Sequence, residues 1–183
     1  MTIIVGYKKD GKVFIGGDTQ GSSGWDKTYR KDKKVFISHG IAYGFTSSYR
    51  MGQILMYHSA EVLCNSRDEN IHKYVVTCLV PMWREILKNN GYIKNDSGRE
   101  ESGQFLIGID GRLFSIHSDM QVAESSFDYD AVGCGRPYAL GAIMACKSIS
   151  GDSISAEDII DTAIKSANSF SNGCGGDVSI VSV

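Results

Sequence analysis

The stretch Thr2-Ile3-Ile4-Val5-Gly6-Tyr7-Lys8-Lys9-Asp10-Gly11-Lys12-Val13-Phe14-Ile15-Gly16-Gly17-Asp18 decides the fold. Two apolar, β-branched runs, 2–7 and 12–17, flank Lys8-Lys9-Asp10-Gly11. Asp-Gly between such runs signals a hairpin, because both residues tolerate the positive φ of a tight two-residue turn. Outward from this hairpin, residues 19–32 are polar and rich in Gly and Ser, and read as a loop. Two short strands fit 35–38 and 41–45, turning at His39-Gly40. The first quarter therefore reads β-β-loop-β-β.

The middle of the chain changes period. Ser47 and Ser48 are positioned to cap a helix carrying Met51, Ile54, Leu55, His58, Val62 and Leu63 at helical spacing. A second helix starts at Asn70, runs through Val75, Leu79, Met82, Ile86 and Leu87, and ends at Asn90-Gly91. Pro81 inside this pattern predicts a kink or a break. Residues 94–103 read as a polar loop. Strands return at 104–109 and 112–117 around Asp110-Gly111, with further strands at 121–125 and 129–132. Helices follow at 136–147 and after Ser155, whose acidic neighbours Glu157 and Asp158 suit a helix N-terminus. A strand over 177–183 closes the order. Hairpin-joined strands favour antiparallel sheets, and sheets stacked between helix layers would bury this pattern. The expectation is one α+β domain over residues 1–183, layered, without repeats or a linker.

Composition removes several function classes. A net charge of -2 gives no basic surface for nucleic acid or an anionic membrane. The longest apolar runs, such as 75–80, are too short to span a bilayer, and the start lacks the pattern of a signal segment. The five cysteines are odd in number and without framework spacing, which predicts reduced thiols in a cytoplasmic protein. His39, His58, His72 and His117 are scattered and no CxxC occurs, so no metal site is expected. No phosphate-binding GxxxxGK[ST] is present, and Gly133-Cys134-Gly135 is not followed by a third glycine in dinucleotide register.

The chemistry gathers around strand ends. Thr2, Asp18 and Lys34 all fall at such ends, and strand ends collect along one edge of a sheet. Once Met1 is removed, Thr2 carries both a hydroxyl nucleophile and an α-amine with a reference pKa of about 7.7–8.0, suited to act as its base. A nearby Lys34 ammonium would keep that amine unprotonated by like-charge repulsion, and Asp18 would hold Lys34. A retained Met1 would make the same nitrogen an amide and abolish the base. Gly44, near the end of 41–45, is a candidate oxyanion donor through its backbone N–H. The glycines of Val132-Gly133-Cys134-Gly135-Arg136-Pro137 permit a tight strand-to-helix turn with free N–H groups.

These elements, in order, resemble the proteasome β-subunit family and its HslV-like members. The carriers are Thr2-Ile3-Ile4-Val5, Ile15-Gly16-Gly17-Asp18-Thr19, Lys33-Lys34-Val35-Phe36, Ile41-Ala42-Tyr43-Gly44-Phe45, 132–141 and Gly175-Gly176. The resemblance implies a four-layer αββα N-terminal-nucleophile hydrolase fold. It implies Thr2 as nucleophile, Asp18 and Lys34 in support, and Gly44 as oxyanion donor. A family serine near the nucleophile's amine falls on Cys134, and an aspartate and serine of the last loop fall on Ser171 and Cys174. Gly21, Asp32, Phe36, Ala42 and Thr46 align with the substrate pocket, which Asp32 would make acidic. The implied partners are copies of the chain itself in rings, a polypeptide substrate and a separate ATPase unfoldase; no cofactor is implied. Two alternatives stand beside a threonine peptidase: a catalytically silent ring or scaffold protein, and a small-molecule amide hydrolase of the same fold.

Overall fold

A computed structural model describes residues 1–58, 70–96 and 99–183. The opening stretch forms the hairpin β1 (Ile3–Lys9) and β2 (Lys12–Asp18). Asp10 and Gly11 take φ of 51° and 75°, the double positive φ of a type I′ turn. The same signal turns β5 (Val35–Ser38) into β6 (Ile41–Phe45) at His39-Gly40, and β9 (Phe105–Ile109) into β10 (Arg112–Ile116) at Asp110-Gly111.

Two antiparallel sheets result. One has the order β12-β1-β2-β13, where β12 is Tyr129–Gly133 and β13 is Val178–Ser182. The other runs β11-β10-β9-β6-β5, with β11 at Val122–Glu124. Alternation along β1 explains the layering. Ile3, Val5 and Tyr7 face a core shared with helices α4 (Arg136–Ser150) and α5 (Ala156–Phe170). Ile4 faces the other way, into a core between the sheets with Val13, Ile15, Val35, Ala42, Leu106 and Leu113. A third core lies beyond the second sheet. There Tyr43, Phe45, Phe105 and Phe114 pack on helix α1 (Tyr49–His58) and a rod that starts at Asn70 and contains buried Trp83. The order is helix, sheet, sheet, helix: the expected α+β four-layer αββα sandwich.

The rod shows how Pro81 is accommodated. Helix α2 (Ile71–Tyr74) is capped by Asn70, whose side chain accepts from the Lys73 N–H. It continues through a π-helical turn, Val75–Leu79, into α3 (Val80–Asn89). Proline removes one donor and crowds the carbonyl four residues back, so the widened turn before Pro81 absorbs the mismatch without ending the rod. Val62 and Leu63, expected on the first helix, lie outside the described residues.

Two expected loops are hairpins. β3 (Gln20–Ser23) pairs with β4 (Asp26–Tyr29), and β7 (Lys94–Asp96) with β8 (Arg99–Glu101). Neither segment alternates apolar with polar residues, so periodicity carried no signal for them. Among the described residues, no helix is long and apolar enough to cross a membrane.

Candidate active site

The β1–β2 ladder fixes Thr2 one residue before β1 and Asp18 at the end of β2. Both are buried. The Ile3 N–H donates to Asp18 Oδ1 at 3.1 Å, which ties the backbone beside Thr2 to the carboxylate. Lys34, just before β5, donates from Nζ to the same oxygen at 2.7 Å and to the Gln20 carbonyl at 2.6 Å. The Gly175 N–H donates to Asp18 Oδ2 at 3.1 Å. Asp18 thus has partners for both oxygens, and Lys34 reaches it across the two sheets. Burial pulls the Lys34 pKa below its ordinary value, and the Asp18 charge and hydrogen bond oppose that pull. The three strand ends do converge.

A small cleft of about 50 Å³ opens at this point. It is lined by Met1, Thr2 and Lys34, by Gln20, Gly21 and Ser22 of the β3 segment, and by residues 45–49. Its polar rim comes from the strand-to-helix turn between β6 and α1. Thr46 is pinned by Gln104: its N–H and Oγ1 both donate to the Gln104 carbonyl, and its Oγ1 accepts from the Gln104 N–H. Gln104 also reaches across the sheets, accepting through Oε1 from the Gly133 N–H at 3.3 Å. Ser47 follows with φ of 71°, an unusual conformation for a non-glycine residue. Among the described residues its N–H has no partner.

Gly44 does not supply an oxyanion donor. The Phe45 N–H donates to the Lys34 carbonyl, so Gly44 faces away from β5 at a non-bonded position. The Thr46 N–H bonds Gln104 on β9's side, so the same alternation spends the Gly44 N–H on Leu106. Gly44 is needed for packing instead: a methyl there would overlap Ile4 and come within 2.9 Å of Ile15. Ser47, three residues on, lines the cleft with its N–H unpaired among the described residues. Its signal in the sequence was masked by its reading as a helix cap.

Of the five expected pocket residues, Gly21 and Thr46 line the cleft. The other three do not. Phe36 points into the helix-side core, stacked on Tyr43 at 4.7 Å between ring centroids, because β5 alternates and Val35 takes the inward position. Ala42 lies in the core between the sheets. Asp32 is on the surface, held by Arg30 in a bidentate pair that keeps its carboxyl below the usual range. Arg30 in turn lies over the Tyr49 ring at 3.9 Å, so the pair adds no net acidity to the wall.

Cys134 is beside Thr2. It follows β12, and its Sγ lies 3.5 Å from the Thr2 carbonyl oxygen, 3.5 Å from Ser171 Oγ and 3.6 Å from Cys174 Sγ. The preceding Gly133 has φ of 102°, and a methyl on it would overlap the Thr2 carbonyl. Only glycine allows this approach of the turn to Thr2. Cys134, Cys146 and Cys174 are free thiols. Cys78 is disulfide-bonded, against the expectation of reduced cysteines throughout. Count and spacing along a chain do not report which sulfurs packing brings within bonding distance. Among the described residues, no cluster of His, Cys, Asp and Glu suits a metal ion.

Two antiparallel sheets between helix layers form the α+β fold of the N-terminal-nucleophile hydrolases. No protein-family model matches the chain. It is 30% identical over 168 residues to the ATP-dependent protease subunit HslV of Petrotoga mobilis, covering 91% of this chain and 88% of that protein. The fold is similar to that of Thiobacillus denitrificans BPH, solved in complex with epoxomicin, at a TM-score of 0.81 and 24% identity over 100% of this chain and 98% of that one. It is also similar to HslV of Trypanosoma brucei, at a TM-score of 0.75 and 19% identity over 99% and 98%. The chain belongs to the proteasome β-subunit and HslV-like family of N-terminal-nucleophile hydrolases.

Proposed function

We propose that the chain is the threonine peptidase subunit of a self-compartmentalising, proteasome-like assembly in the cytoplasm, active once Met1 is removed. The observation that carries this reading is the buried Asp18–Lys34 pair, whose lysine lines the cleft together with Thr2 and Ser47. Thr2 Oγ1 attacks a peptide carbonyl, and its proton passes to the Thr2 α-amine, directly or through water. The Lys34 ammonium raises the local positive potential, which favours the neutral amine and the alkoxide that develops. The Ser47 N–H donates to the carbonyl oxygen as it becomes an oxyanion. The amine then returns the proton to the leaving nitrogen, and water hydrolyses the ester on Thr2. Copies of the chain forming a ring and a separate ATPase that feeds unfolded polypeptide are the partners this reading calls for.

The test begins with the intact mass of the purified protein. The expected result is loss of Met1 and cleavage of an unfolded protein such as casein. Thr2→Ala is expected to lower cleavage on the order of 10³-fold or more with the native mass unchanged. Epoxomicin, present in the Thiobacillus BPH structure, is expected to block cleavage by the processed form. Unchanged cleavage in Thr2→Ala would sink the assignment. Quantitative retention of Met1 with an intact assembly would favour the silent ring.

A further inference from the structure

The sulfur pair beside Thr2 has a chemistry that the peptidase reaction does not use. Cys134 sits in the turn between β12 and α4 and is exposed. Cys174 is buried at the end of the turn that follows α5, its N–H donating to the Ser171 carbonyl at 3.1 Å. The two Sγ atoms are 3.6 Å apart, already in contact, and a disulfide at about 2.0 Å needs only a small closing movement. The surrounding chain has glycines on both sides to permit it: Gly133 and Gly135 about one sulfur, Gly173, Gly175 and Gly176 about the other.

We propose that Cys134 and Cys174 form a peroxide-oxidisable dithiol, a modification site that closes into a disulfide next to Thr2. The Cys134 thiol lies well below its usual range, first because Cys174 hydrogen-bonds to it and further because Ser171 does, with burial opposing. Cys174 is pushed up by the same hydrogen bond and by burial. One sulfur is therefore the exposed, thiolate-prone attacker and the other the resolving thiol. The Cys134 thiolate attacks one oxygen of hydrogen peroxide. The O–O bond breaks, the second oxygen leaves as hydroxide and is protonated to water, and Cys134 becomes a sulfenic acid. The Cys174 sulfur then attacks the Cys134 sulfur. The S–O bond breaks, and the departing hydroxide takes the Cys174 proton to leave as a second water. Two thiols lose two electrons in total, and one peroxide is reduced to two waters.

Closure acts on the catalytic pair through one residue. Gly175 follows Cys174, donates to Asp18 Oδ2 at 3.1 Å, and accepts from the Thr19 and Gln20 N–H groups. Drawing Cys174 toward Cys134 moves the segment that holds Asp18. The dithiol itself stands on sulfur geometry and does not depend on Thr2 being a nucleophile.

The experiment reduces the full-length protein with dithiothreitol, removes the reductant, adds stoichiometric hydrogen peroxide and maps a non-reducing digest by mass spectrometry. The expected result is a peptide pair joining Cys134 to Cys174, lighter by two hydrogens than its separate parts and released by dithiothreitol. In Cys174→Ser, with no resolving thiol, Cys134 is expected to persist as a sulfenic acid that dimedone captures. In Cys134→Ser, Cys174 is expected to stay unmodified. Cys134 gaining oxygen without a link to Cys174, or links to Cys146 in excess of the Cys134–Cys174 link, would overturn the proposal. So would failure of dimedone to label Cys134 in folded Cys174→Ser.

Discussion

Lys34 is held by Asp18 and the Gln20 carbonyl in a space that excludes water. Lys34→Met should leave the Asp18 carboxylate buried with only two backbone donors, and destabilise the protein by about 3–5 kcal/mol in urea unfolding. Asp18→Asn in the same background should recover part of that loss, since the uncompensated charge is then gone. Gly133→Ala should be similarly harmful, because φ of 102° and the Thr2 carbonyl both exclude a methyl group. Ser47→Gly keeps the N–H and relieves a strained φ, so cleavage should survive it; loss of cleavage with an unchanged fold would remove Ser47 from the oxyanion role. The depressed Cys134 pKa gives a pH prediction. A lowered acid pKa keeps the thiolate present at lower pH, so iodoacetamide should modify Cys134 at a rate that no longer climbs between pH 7 and about 9. Cys146, a free thiol outside the cluster, serves as the comparison. At this scale the sequence named Thr2, Asp18 and Lys34 because each sits at a strand end, and Cys134 only through the resemblance to the family. Gly44, and the Phe36 and Ala42 that the resemblance implies for the pocket, are misplaced by linear reading because one strand presents its side chains to two faces and its N–H groups to two neighbours. Which face and which neighbour depend on pairing register.

The elements were legible wherever a period or a turn signal was strong. Asp10-Gly11, His39-Gly40 and Asp110-Gly111 each turn a hairpin, and Ser155 caps α5, its Oγ accepting from the Asp158 N–H at 3.1 Å. Ser155→Ala should cost about 1 kcal/mol in thermal or urea unfolding, within the usual range for a lost cap. The β3–β4 hairpin was not legible. It carries Gln20, Gly21 and Ser22 to the cleft, yet its strands hold glycine, serine and exposed charge in no alternating order. It is held from outside, by the Thr19 and Gln20 N–H groups on the Gly175 carbonyl. Partners so far along the chain leave no local mark. The Gln104 bridge from β9 to Thr46 and Gly133 is silent for the same reason.

For the whole molecule, β1 buries residues on both faces of its sheet, and a sheet buried on two faces requires a layer on each. That requirement, read with two pairs of amphipathic helices, determined a layered α+β domain from the residue pattern; the four-layer αββα order came only from the resemblance to the family. The sequence also determined the order in which Thr2, Asp18 and Lys34 reach the sheet edge, because strand length and hairpin turns are local properties. Tertiary structure alone decided the site's interior. It joined Lys34 to Asp18 across two sheets, left the Ser47 N–H unpaired while β9 took that of Gly44, and set Cys134 against Cys174 from segments 40 residues apart. Those contacts join chain segments whose distance in space is fixed by packing, and packing is a property of all the layers together rather than of any stretch within them.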